Sequence, residues 1–331
     1  MDLIAISERK IVQKIVQLGS RLHEMKTLLN WQRFDPIVEK MRKNKTSRGG
    51  RPNKNNVQML KILVLQKWFG LSDQQIERDI YDRASFRDFL DLKVSEVPDF
   101  TTVWYFRDQL QKHGLEIEIW DELQFQLNCM GFRIEEGTTQ DATFVESQVG
   151  RKRQEDEKRA KKNNEEITYS DKQKQHQDKD AKFTVKRGQV HYGYKDHVKT
   201  DTKYNFVLKV ETTTANIHDN NVDLSEKGDK AMYRDRGYSG EGNEPKAEGV
   251  VNMTMTRGKN LSDLEKGINK EISRVRCKGE RTFSVTSYVF KCKHTFAKSL
   301  ERAKIGQIFL YFAYNCYNLF TYKNIFKLTF S

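Results

Sequence analysis

Apolar residues recur along the first third of the chain at helical spacing. Ile11, Ile15, Leu18, Leu22, Met25 and Leu29 alternate steps of four and three, a heptad seam over residues 8 to 29. The seam predicts one continuous helix, used for core packing within the chain or, as the alternative, for homodimerisation. Further on, "VQMLKILVLQKWFG" reads as an amphipathic helix that stops at Gly70. "LSDQQIERDI" opens with a capping box from Ser72 to Gln75 and a staple of Leu71 on Ile76. "VPDFTTVWYFRDQL" predicts a helix behind Pro98 with Thr101 or Thr102 as its cap. Short helices joined by tight turns, with Lys and Arg outside, suit a helix-turn-helix-like module, and a plain helical bundle shows the same pattern.

Near residue 132 the period changes to two. "RIEEGTTQDATFVES" alternates around Asp141, and "QVHYGYKDHVKTD" and "YNFVLKVETTTAN" predict a hairpin turning at Thr200 to Lys203. "KAMYRDRGYSG" reads as a fourth strand and "GVVNMTMTRG" as a fifth, after which the pattern is helical from 261 to the end. Residues 147 to 182 are nearly all Lys, Arg, Glu, Asp, Gln and Asn and predict a charged, unstructured insertion loop. The expected organisation is therefore an all-α domain over 1–130, with a basic linker near 42–56, followed by an α/β domain over 131–331.

Charge then narrows the function. Across 331 residues Lys and Arg outnumber Asp and Glu by 59 to 46, a net charge of +13, which favours a polyanionic partner. The linker "RKNKTSRGGRPNKNN" carries Arg48, Arg51 and Lys54, candidates for phosphate contact. The most apolar stretch, "IGQIFLYFAYNCYNLF", is shorter than the roughly 20 residues that span a bilayer and contains Gln307 and two asparagines, so it predicts a buried helix and no membrane role. The cysteines Cys129, Cys277, Cys292 and Cys316 are scattered without a C-x-x-C pair, which excludes a zinc ribbon and fits a reducing compartment.

Three acids stand out by position. Asp141 falls mid-strand, where aspartate is disfavoured and expensive to bury unless paired or metal-bound. Asp235 closes a strand before a Gly turn. Glu280 lies in "ISRVRCKGERTF", among Arg274, Arg276 and Lys278, where the plain reading is a solvated helix face with ion pairs. Taken singly, each acid reads more readily as a surface residue. Together in a basic chain they suggest a magnesium site, because hard divalent cations prefer carboxylate oxygens. His191, Gly193, Lys195 and His197 share one strand face, and "NIHDNN" around His218 and Asp219 reads as a turn or helix cap.

The pieces "LSDQQIERDIYDRASFRDF", "VPDFTTVWYFRDQL", "QDATFVES", "HYGYKDHVKTD", "TTTANIHD", "RDRGYSG" and "SRVRCKGERTF" carry a resemblance in their number, order and spacing. From about residue 31 to 325 the chain resembles the DDE-type transposases of bacterial insertion sequences, group five within the wider group-four-like superfamily. The resemblance implies a ribonuclease-H-like catalytic domain, a mixed five-stranded sheet with flanking helices, behind a helical N-terminal domain. It implies Asp141, Asp235 and Glu280 as catalytic acids holding two magnesium ions, with manganese as a substitute. Arg276, with Arg274, Lys278 and Lys291, is implied to hold DNA. Ser273 stands where the wider family has tyrosine, and Ser287 where it has lysine, a departure that bears on end binding and activity, with Lys291 as a candidate substitute. The implied partner is double-stranded DNA, at terminal inverted repeats and a target site, in a nucleoid-associated cytoplasmic protein. The implied reaction cuts DNA and joins the freed 3′ hydroxyl to the target. A DNA-binding relic or repressor, and a nuclease that only cuts, are the alternatives.

Overall fold

The structure, a computed structural model, describes residues 3–42, 53–132, 136–171, 173, 177–238, 242, 244–256, 258 and 260–326. It divides into two units, one of residues 1–133 and 308–331 and the other of residues 134–307.

The first unit is helical. Helices α1 (Leu3–Gln17) and α2 (Arg21–Leu28) replace the single helix expected over 8–29. The chain turns at Gly19, whose φ of 77° suits glycine, and Ser20 starts α2 by accepting the His23 N–H. The break splits the seam: Leu22 and Met25 are buried, whereas Ile11 and Leu18 are exposed. After the short α3 (Asp35–Glu39), α4 (Asn56–Trp68) is buried on nearly every side rather than amphipathic. Lys61 makes that possible. Its ammonium donates to the Phe89 carbonyl at 3.0 Å, pairs with Asp91 and lies over the Trp31 and Phe89 rings.

Helices α5 (Asp73–Asp82), α6 (Ala84–Leu90), α7 (Phe100–Lys112) and α8 (Leu115–Cys129) complete the N-terminal set. The Ser72–Gln75 capping box forms at α5. At α7 the cap is Asp99, not Thr101 or Thr102: its carboxylate accepts the Thr102 N–H and both threonine hydroxyls. Arg107 on α7 donates to both oxygens of Asp73 on α5, at 2.9 and 2.7 Å, and to Gln66 on α4, tying three helices together. From Ile308 onward the last helix, α11 (Leu300–Phe326), belongs to this unit, where Phe312 meets Trp31 and Phe34 at 5.9 and 5.7 Å. The helical unit thus takes in residues from 308 onward as well as those up to 133, because these aromatic residues fill the helical core. Among the described residues no helix is long and apolar enough to cross a membrane.

The second unit is built on a mixed sheet. Its strands are β1 (Thr138–Ser147), β2 (Lys182–Lys186), β3 (Gln189–Asp201), β4 (Val207–Thr214), β5 (Ala231–Arg234), β6 (Val251–Met253) and β7 (His294–Thr295). Their order is β2-β3-β1-β5-β6, with β4 also on β3 and β7 also on β1, so among the described residues the sheet has seven strands where five are expected. The additions are β2, which extends the β3 hairpin, and β7, two residues inside the region expected to be helical throughout.

The charged segment 147–182 is also not the unstructured loop expected. Residues Arg151–Asn163 form α9, with Arg151–Glu155 and Arg153–Glu157 pairs at i,i+4 spacing. Asp178 anchors the segment: fully buried, it accepts hydrogen bonds from the Tyr194 and Ser147 hydroxyls and the Ala181 N–H. Helix α10 (Asp263–Ser284), capped by Ser262 and Glu265, then lies on the sheet and continues as a π-turn over Val285–Val289.

Candidate active site

Strand β1 runs through the middle of the sheet. One edge is antiparallel to β3 along almost its whole length. The other edge is shared: β5 pairs in parallel only with residues 138–140, and β7 with 146–147. Asp141 is therefore the first residue of β1 beyond β5. The last register pair is Gln140 with Arg234, so Asp235, the next residue on its own chain, emerges beside Asp141.

Helix α10 covers this point because it can come close. A Cβ on Gly279 would stand 2.7 Å from Thr139 Oγ1, a side chain already hydrogen-bonded to Thr200. One turn earlier, Arg276 reaches both acids, with Nη2 at 3.7 Å from Asp141 Oδ2 and Nη1 at 3.5 Å from Asp235 Oδ1. Each aspartate also accepts the N–H of the following residue, Ala142 at 2.8 Å and Arg236 at 2.6 Å. Burial raises the Asp141 carboxyl above the ordinary aspartate value, and the Asp235 charge adds to this; the Ala142 N–H and Arg276 oppose it without cancelling it. Tyr238 is buried just after Asp235, with its phenol pushed up by burial and by the Asp219 and Asp141 charges.

The other expected positions are more dispersed. Glu280 is exposed on α10, and among the described residues no group of three or more His, Cys, Asp or Glu is arranged to hold a metal ion. Arg274 pairs with Glu271 on the exposed helix face. Lys278 donates to the Thr202 carbonyl at 3.3 Å. Ser287 lies in the π-turn, and Lys291, the candidate substitute, follows the end of the helix with a φ of 57°. Lys54 donates to the Glu96 carbonyl, while Arg48 and Arg51 lie outside the described residues.

The opposite sheet face carries His191, Lys195 and His197. His191 pairs with Glu146 and stacks on Phe144 at 4.0 Å, and Lys195 pairs with Asp219 at 2.7 Å. Burial lowers His197 to about 4, so this imidazole is neutral at physiological pH. His218 caps a short 3-10 turn over Asp219–Asn221, as the sequence suggests. Gln140, Arg234 and Asp223 also bear on the site, although no spacing rule marks them in the sequence. The available signal was that Gln140 and Arg234 immediately precede the two aspartates.

The donor chemistry suits a divalent cation in part. Two hard-oxygen ligands share a cation, the Arg276 guanidinium, and the third acid stands apart.

Comparison with known families finds matches over residues 10–109 and 141–316. The model described as Transposase DDE domain matches residues 141–316, and that described as Transposase domain (DUF772) matches residues 10–109. No solved structure matches the chain. The mixed sheet with its helices agrees with the ribonuclease-H-like fold of DDE enzymes, which generally act with divalent metal ions. Matched over more than half its length by the Transposase DDE domain, the chain belongs to the DDE transposases, enzymes of DNA cleavage and strand transfer.

Proposed function

We propose that Asp141 and Asp235 hold the divalent ions of the transposition reaction and that Glu280 completes the set by turning inward from its exposed position on α10. The observation carrying this reading is the shared guanidinium: two carboxylates from neighbouring parallel strands meet one cation from α10. Magnesium bound there supplies an activated water and neutralises charge on the phosphodiester being cut. The chain's own residues bind and orient the DNA. Arg276 is placed to exchange its carboxylate partners for a phosphate, and the +13 net charge draws the duplex in. The DNA is the element's terminal inverted repeats and its target, bound in part through the N-terminal region.

Replacement of Asp141, Asp235 or Glu280 by alanine tests the site. Magnesium-dependent nicking of a labelled repeat end should vanish, while metal-free gel-shift affinity holds or rises as each phosphate-repelling charge is removed. An alanine variant that cuts at the wild-type rate removes that residue from the site. A DNA-binding relic is the second reading, favoured by the exposed Glu280 and by Ser287 in the lysine position. Wild-type protein that binds repeat ends but never nicks them selects it. Dimerisation of copies through the helical segment 8–29 rests on the exposed Ile11 and Leu18 and predicts a dimer in sedimentation that Leu18→Glu dissolves.

A further inference from the structure

Along a strand, side chains alternate between faces, so the residues just before Asp141 and Asp235 point away from the site. Both grip the same piece of chain. Gln140, fully buried, donates from Nε2 to the Val222 carbonyl at 2.7 Å and accepts the Leu224 N–H at Oε1, 3.2 Å away. Arg234, 1% exposed, pairs with the Asp223 carboxylate, and its guanidinium lies over the Tyr238 ring at 5.3 Å. Asp223 is held in turn, accepting the N–H groups of Ser225 and Lys246 at 3.2 and 2.7 Å. Residues 222–224 thus bridge two strands from behind, at the one register pair next to the acids.

That place is mechanically weak without help. Parallel pairing of β1 with β5 covers only three residue pairs and ends at Gln140 and Arg234. Beyond it, among the described residues, no pairing joins the two strands, and Arg276, reaching across from α10, links the Asp141 and Asp235 carboxylates. A displacement of either strand carries its aspartate with it.

We infer that Gln140, Arg234 and Asp223 are positioning residues, a clip on the far face of the sheet that fixes the register of β1 against β5 and so the separation of the Asp141 and Asp235 carboxylates. The inference rests on the reading of these aspartates as the reacting-site acids. It assigns to buried neutral and charged groups, none of which faces the site, control over the rate of cutting rather than over DNA binding.

The experiment uses the full chain with Gln140→Leu, Arg234→Met and the paired Arg234→Met/Asp223→Asn. Three quantities are read for each: single-turnover magnesium-dependent nicking at saturating protein, metal-free gel-shift affinity, and the thermal midpoint. Nicking should fall on the order of 100-fold, the scale of an approximately 1 Å misplacement of reacting groups, with DNA affinity unchanged. The paired variant removes both charges of the Arg234–Asp223 ion pair together. It should regain much of the midpoint lost in Arg234→Met without regaining the nicking rate. A paired variant that recovers both shows that the pair serves folding alone and overturns the inference, as does Gln140→Leu nicking at the wild-type rate. Gln140→Leu, uncharged and close in size, decides the matter if the arginine variants do not fold. Asp141→Asn run alongside separates the two readings. Nicking that survives it sinks the acid assignment, whereas nicking lost there but kept in the clip variants sinks only the clip.

Discussion

Replacing Arg276 by glutamine should tighten, not weaken, the binding of a divalent cation in the absence of DNA. The guanidinium stands 3.7 Å from Asp141 and 3.5 Å from Asp235, on the oxygens a metal would use. At an effective dielectric constant near 20, each attraction would be roughly 4–5 kcal/mol before solvent is considered. Asp141 is 36% and Asp235 50% exposed at the side chain, so screening leaves about 1 kcal/mol per pair. A metal that displaces Arg276 therefore forfeits about 2 kcal/mol, which corresponds to roughly 30-fold in affinity. Repulsion between the ion and a guanidinium left nearby acts in the same direction. Manganese titration of metal-depleted full-length protein, followed by calorimetry and by the loss of free-ion paramagnetic signal, measures the effect directly. Thermal melts alongside confirm that the variant is folded. Unchanged or weakened manganese binding would refute the argument, because it would mean that Arg276 does not occupy the carboxylates in solution.

Other perturbations test neighbouring steps. Asp141→Asn should stabilise the metal-free protein at neutral pH. The raised pKa means that ionised Asp141 is disfavoured by folding, a penalty that is complete above its folded value and disappears as pH falls through the ordinary aspartate range; equal midpoints for the two proteins at pH 7.5 would contradict this. Gly279→Ala should reduce both the thermal midpoint and nicking, although alanine is favoured over glycine in a helix by about 1 kcal/mol, because its Cβ meets Thr139 Oγ1. Adding Thr139→Ala should restore part of the loss, and a double variant no better than the single one counts against the contact. Asp99→Ala should cost about 1 kcal/mol, as loss of a helix cap does. In the wild type that contribution is present above the ordinary aspartate value and is lost as pH falls towards about 2, where the cap's own carboxyl titrates; denaturant melts at pH 7 and pH 3 measure both.

Local signals in the sequence were legible where the physics is local. The Ser72 capping box, the alternation of β3 and β4 and the stop at Gly70 need only a few neighbouring residues to act. The aspartates were conspicuous because a mid-strand or strand-end acid has to be explained by something outside the strand. The failures lie where partners are distant. Charge alone made 147–182 look unable to order, yet Asp178 is anchored by Tyr194, a residue of β3. Lys61 made α4 read as amphipathic, because the carbonyl that satisfies it belongs to Phe89, 28 residues away. The heptad seam ignored Gly19, since a six-position pattern outweighed one turn residue. Gln140 and Arg234 carry no local signal for the same reason: their importance comes from residues 222–224, which no spacing rule connects to them.

The assignment of residues 308–326 to the helical unit has a consequence in time as well as in space. During synthesis, α2 to α8 are finished long before Phe309 and Phe312 exist. At about 5–20 residues per second, the intervening chain takes roughly 10 to 35 s to make. For that interval Trp31 and Phe34 have no Phe312 to pack against, and the sheet unit can close first although it comes second in the chain. The N-terminal helices then wait as an incomplete core, exposed to chaperones, proteases and other nascent copies. A fragment that stops before residue 308 lacks Phe309 and Phe312 altogether and prolongs that waiting state indefinitely.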